Sequence, residues 1–194
     1  MRRTAITTTD TLASKFQSHA DVEHARERIH QRSPDSLADF ILSLAHAPGP
    51  VGDQVRTFIV GDDVPETVAA IRERIASLAL PTDYAQRHAQ GRQIGVSLEL
   101  ILDSSENLLL PADPAAAFSP LGAVFEADSM AMEHCGEHDW EVSSAYRRAA
   151  QLMQTAAAHL PTATVAETLR ELISHDGYGV RAPLNSVLAA LESP

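Results

Sequence analysis

The chain has 194 residues, enough for one domain that buries roughly 70% of its unfolded surface. Hydrophobic residues make up 44% of it and aromatics only 5%, so its core must be aliphatic side chains packed between helices. A formal net charge of −11 argues against a general nucleic-acid or anionic-membrane binder, and the single cysteine, Cys135, excludes an intrachain disulfide and disfavours a cysteine-based zinc site.

Residues 1 to 9 are threonine-rich and without periodicity, which predicts a flexible tail. Met1-Arg2-Arg3 has no apolar run behind it, so neither a secretory signal nor a twin-arginine leader is expected there. No apolar stretch approaches the roughly 18 residues needed to span a bilayer, and a cytoplasmic protein is expected. Lys15 is the only lysine; with abundant alanine, that bias towards arginine suits a GC-rich bacterial genome.

Residues 10 to 194 read as a single all-helical domain. The first segment, about 10 to 31, carries Leu12, Phe16, Val22, Ala25 and Ile29 on one side. Glu23, Arg26, Glu27 and Arg28 make the rest of it a solvated face. Ser33-Pro34-Asp35 then offers a cap, a first-turn proline and an early carboxylate, and Leu37, Phe40, Ile41 and Leu44 form the stripe behind it. Pro48-Gly49-Pro50 closes that helix. Val51, Val55 and Phe58 make the next stripe, ended by Gly61.

Asp63 caps a helix in which Val64, Val68, Ile71, Ile75 and Leu78 keep a strict helical spacing up to Pro81. Ile94, Leu98, Ile101 and Leu108 mark a long helix, weakened by Gly91 and Gly95. Asp113-Pro114 opens a segment that Ser119-Pro120 should kink or restart, with Leu121, Val124, Phe125 and Met132 inward as far as Gly136. Asp139 caps a helix with Val142, Tyr146, Ala149, Met153, Ala156 and Leu160 inward. A capping pattern from Thr164 to Glu167 opens a helix with Val165, Leu169, Leu172 and Ile173. Leu184, Val187, Leu188 and Leu191 finish the chain. The expected fold is all-α: eight or nine antiparallel helices, stacked as an irregular bundle or a short α-solenoid.

From about Ser33 to Leu191 the chain resembles a family of bacterial all-helical proteins known only as a domain of unknown function. The stretches that carry the resemblance are Ala69 to Ile75, Leu110 to Phe118, Glu141 to Ala150, and Asp176-Gly177-Tyr178-Gly179. Some members of that family look to carry a SWIM-type zinc finger ahead of the helices; this chain has none. In its relatives the turn before the long helix tends to be an acidic run with a serine and a glycine. Here it reads Cys135-Gly136-Glu137-His138-Asp139-Trp140. The resemblance implies a helical fold and brings no activity with it.

Chemistry-bearing residues gather at that turn. His134-Cys135-Gly136-Glu137-His138 matches the H-x-x-E-H pattern of inverted zinc peptidases, in which two histidines hold zinc and the glutamate activates water. That chemistry needs both histidines on one helical face, yet Gly136 and the new start at Asp139 place the pattern across a turn. The plainer reading is a polar interhelix connection, and for Cys135 a structural thiol without the neighbours that activate a nucleophile. Asp128 falls on the apolar face of its helix, where a carboxylate is costly unless paired, and Arg147 or Arg148 is its expected partner. His175 to Gly179 reads as a helix-ending turn, with Gly177 free to take positive φ.

The leading expectation is a non-enzymatic protein–protein interaction module without a cofactor, binding another protein and neither nucleic acid nor membrane. Its expected contact residues are Trp140, His138, Asp139, Tyr178 and Arg181, because aromatics and arginine dominate interface energetics. Two alternatives stand beside it. One is a metal-dependent hydrolase centred on His134, Glu137 and His138, with zinc held by the two histidines. The other is an acidic mimic of nucleic acid that occupies the groove of a DNA- or RNA-binding protein.

Overall fold

The computed structural model describes residues 19–78, 87–135 and 139–192, with side chains for 21–78, 93–135 and 140–192. Among these the protein is all-α, with ten helices packed against their neighbours and no strand. None of these helices is long and apolar enough to cross a membrane. The described residues up to Leu44 belong to one compact unit and those from Ala45 to another.

The described part of the first unit holds α1 (His19–His30) and α2 (Pro34–Ala45), whose last residue crosses into the second. The cap at α2 is as expected, with the Ser33 hydroxyl accepting the Ser36 amide at 3.2 Å. Helix α1 is laced by an Arg26–Glu23 pair at 2.9 Å and leaves Val22 and Ile29 exposed. Phe40, expected inward on α2, is also exposed. Leu12 and Phe16 lie outside the described residues.

In the second unit, α3 (Pro50–Ile59) starts from Gly49, whose φ of 92° joins two prolines in a turn that favours glycine. Gly52 has a different reason to be there: a Cβ on it would sit 1.9 Å from the Ala47 carbonyl oxygen. The expected face of α3 is wrong. Val51 and Phe58 are exposed, whereas Thr57 is 1% exposed. The cause is polar: α3 turns Gln54 and Thr57 towards the buried Arg74 of α4 (Val64–Ser77) and Ser104 of α5 (Arg87–Ser104). Hydrogen bonds orient this helix against the sense of its apolar stripe.

Asp63 caps α4 by accepting the Glu66 amide at 2.9 Å, and Ile71 and Ile75 are buried as the spacing requires. Pro81 lies outside the described residues. Helix α5 buries Ile94, Leu98, Ile101 and Leu102, then passes into a π-helical turn, Ser105–Leu109, in which the Leu110 amide reaches back five residues to the Ser105 carbonyl. Leu109, at 1% exposure, thereby takes the place in the core expected for Leu108, which is only half-buried.

Asp113 caps α6 (Pro114–Glu126) through the Ala116 amide at 3.2 Å. The helix does not restart at Ser119-Pro120, one of the two outcomes expected there. Pro120 is buried within α6, where its ring removes a single intrahelical donor; the helix ends instead at Ala127, before α7 (Asp128–His134). Next come α8 (Asp139–Ala157), α9 (Thr162–Ser174) and α10 (Leu184–Glu192). Helix α9 begins ahead of the expected Thr164 cap, so the Thr164 carbonyl accepts the Thr168 hydroxyl within the helix.

Helix α8 is the centre of this unit and packs on α5, α6, α7 and α10. Its inward line is the expected one: Val142, Tyr146, Ala149, Met153 and Ala156 are all fully buried. Contacts between helices so far apart in sequence make this a bundle and not a one-dimensional stack.

Candidate functional site

Two clusters surround the residues that the sequence singles out. The first is built on Asp128. Because the chain breaks at Ala127, Asp128 opens α7 while remaining 3% exposed. Its partner is neither Arg147 nor Arg148 but Arg181, in the turn before α10. Arg181 donates from Nε to Oδ2 at 2.6 Å and from Nη2 to Oδ1 at 2.9 Å, the bidentate geometry in which a guanidinium and a carboxylate fit best. Its Nη1 reaches the Leu172 carbonyl in the last turn of α9 at 2.9 Å, a second donor beside the His175 amide. The hydrogen bonds to Asp128 raise the Arg181 pKa above its ordinary value, against the opposing effect of burial.

The same turn is tied down again at Tyr178, whose hydroxyl donates to Glu133 of α7 at 2.9 Å. Within it the Asp176 carboxylate accepts the Gly179 amide at 2.8 Å, and it is Gly179, with φ 77°, that takes the left-handed conformation expected of Gly177. Arg181, 6% exposed, is therefore an internal fastener, and Tyr178 offers a partly exposed ring with an engaged hydroxyl. Beneath them lies Tyr146, tilted against Phe125 with ring centroids 5.5 Å apart. Its hydroxyl is fully buried and has no hydrogen-bond partner among the described residues. Burial first, and then the charge of Asp128, push the Tyr146 pKa well above its ordinary value.

The second cluster is a groove where α5 meets the start of α8. Trp140, the sole tryptophan, is 66% exposed in the first turn of α8. Beside it Val96, Leu100 and Gly95 line a depression of about 370 Å³, rimmed by Glu99, Glu141 and Ser144. Along α5 and into the π-helical turn the acidic stripe continues. Glu99, Asp103 and Glu106, one helical turn apart, all accept from Arg148 of α8, at 2.5, 2.6 and 2.5 Å. Burial lowers the Arg148 pKa, but the three carboxylate hydrogen bonds together raise it. Three carboxylates on one guanidinium leave the stripe net negative.

The remaining expected site residues are less informative. His134 ends α7 with Nδ1 2.8 Å from the Met130 carbonyl oxygen, and Cys135 follows it, buried. Glu137, His138 and the side chain of Asp139 lie outside the described residues. Since α7 ends at His134 and α8 begins at Asp139, the H-x-x-E-H pattern does not occupy one helix. No three His, Cys, Asp or Glu side chains among the described residues are placed to share a metal ion.

Sequence reasoning found Trp140 but missed Val96 and Leu100, its neighbours across the groove. The spacing of Glu99, Asp103 and Glu106 was the available signal for the acidic stripe. Comparisons with protein-family models, with curated proteins and with solved structures find no match to this chain.

Proposed function

We propose that the protein is a non-enzymatic interaction module whose groove at α5 and α8 receives a segment of another protein carrying an apolar side chain flanked by basic ones. The observation that carries this reading is Trp140: a large aromatic side chain left 66% exposed beside exposed Val96, in a groove rimmed by carboxylates. Tryptophan is the residue most enriched among energetic hot spots, and its ring face attracts cations as well as apolar groups. The acidic rim and the net charge of −11 supply the attraction for the basic part of the partner.

The test is affinity capture from the native host with wild-type protein and Trp140→Ala, followed by binding measurements on the purified partner. Trp140→Ala should weaken binding by about 2 kcal/mol or more, close to thirtyfold, with the circular dichroism spectrum unchanged. Because Trp140 is the only tryptophan, its emission should shift to the blue as the partner buries it. A partner that binds the variant as tightly as wild type would rule this groove out.

A further inference from the structure

Arg74 is a buried cation that no carboxylate among the described residues pairs. It is 8% exposed, and all of its hydrogen bonds leave from one nitrogen: Nη1 reaches Gln54 Oε1 at 2.9 Å, Ser104 Oγ at 2.9 Å and Thr57 Oγ1 at 3.2 Å. Each of these acceptors is neutral. No carboxylate among the described residues makes an ion pair with Arg74, although a guanidinium at this depth keeps its charge at any physiological pH. Burial is what most disfavours that charge, ahead of the attraction exerted by Asp53.

Nε and Nη2 of Arg74 have no partner among the described residues, yet they are not sealed in. The Tyr146 hydroxyl is the one side-chain donor or acceptor among the described residues that is both fully buried and unpartnered. Neither of these two donors of Arg74 is therefore fully enclosed, and the residue lines a cleft of about 220 Å³ between α3 and α4. In Arg181, the other buried arginine, this same Nε–Nη2 edge holds the two oxygens of Asp128.

We infer that the Nε–Nη2 edge of Arg74 is a binding site for one small oxyanion, a carboxylate or phosphate group, entering the cleft between α3 and α4. Two parallel N–H donors match two oxygens of such a group, and the anion replaces the carboxylate that the fold withholds. Arg56 also lines the cleft, with its guanidinium held by Asp53, itself a lining residue, and by the carbonyls of Ala45 and Ala47. Glu73, the other lining carboxylate, makes no ion pair with Arg74, and its charge opposes an entering anion.

Thermal unfolding of the full chain in sodium phosphate, acetate and chloride at matched ionic strength tests this. Wild type should show a saturable rise in melting temperature above chloride. A rise with phosphate alone assigns the phosphate class, and a rise with acetate assigns the carboxylate class. Arg74→Gln should weaken the response by about tenfold or more. Ala70→Glu is the second variant, because it places a carboxylate one turn ahead of Arg74 on α4, the favourable orientation for an intrahelical pair. It should fold and lose the response by filling the edge from within, and it decides the matter alone if Arg74→Gln fails to fold. No rise above chloride in wild type, or an undiminished rise in a folded variant, would overturn the assignment.

Discussion

Asp128→Asn keeps the size of the side chain and removes its charge, leaving Arg181 stranded at 6% exposure with one ordinary carbonyl and an amide in place of a carboxylate. The amide offers one acceptor oxygen where the carboxylate offered two, and its own donor group is turned towards a cation. Removing one member of a buried pair costs about 3–5 kcal/mol, most of it the penalty of the charge left behind. For a chain of this size each kcal/mol lowers the melting temperature by about 2–4 °C, so a fall of about 6–20 °C is expected in thermal melts followed by far-UV circular dichroism. The double variant Asp128→Leu, Arg181→Met removes both charges and should recover most of that loss. Salt should change neither result, because a pair at this depth is hardly screened. If Asp128→Asn unfolds within about 1 kcal/mol of wild type, the pair is worth no more than a surface contact and the reasoning fails. A double variant as unstable as the single would show that the stranded guanidinium is not the source of the penalty.

Tyr146→Phe should leave stability at neutral pH unchanged or raise it by about 1 kcal/mol, since the hydroxyl it removes has no partner; a loss above about 2 kcal/mol in urea would show that it has one. The variant should also matter at alkaline pH. Tyrosine in the unfolded chain ionises near pH 10, whereas the folded state holds Tyr146 protonated well above that, so its contribution is full below about pH 10 and is lost as the pH rises further. Tyr146→Phe should flatten that decline. Two glycine substitutions should have opposite signs in the same melts. Gly122→Ala places a methyl 3.7 Å from Met153 Cε and should stabilise α6 by about 0.5–1 kcal/mol. Gly52→Ala drives a Cβ into the Ala47 carbonyl and should cost about 1–3 kcal/mol.

What could be read from the sequence was local. The caps at Ser33, Asp63 and Asp113 depend on residues within one turn of each other, and each forms the hydrogen bond expected of it. The inward line of α8 was equally legible, because that helix is enclosed and its apolar spacing has a single solution. What was lost depended on distant residues. Asp128 was visibly in need of a cation, but its partner lies 53 residues away on a turn whose course no periodicity reveals. The face of α3 was misread because a buried arginine on another helix outweighs the pull of Val51 and Phe58 towards the core. Trp140 stood out by its rarity, whereas Val96 and Leu100 looked like ordinary members of a helix until α8 crossed them.

The π-helical turn at Ser105–Leu109 acts as a phase shift in the sequence. Upstream, the inward residues are counted from Ile94; downstream, the count restarts from Leu109, one position late. Deleting a single residue from this turn would restore an ordinary α-helix and shorten the chain by less than 1%. It would also rotate everything beyond the deletion by about 100° relative to α5, carrying Leu109 out of the core. A one-residue insertion elsewhere in α5 would do the same in reverse. Length is thus more tightly constrained in this stretch than residue identity, so a substitution of Ser105 is milder than its removal.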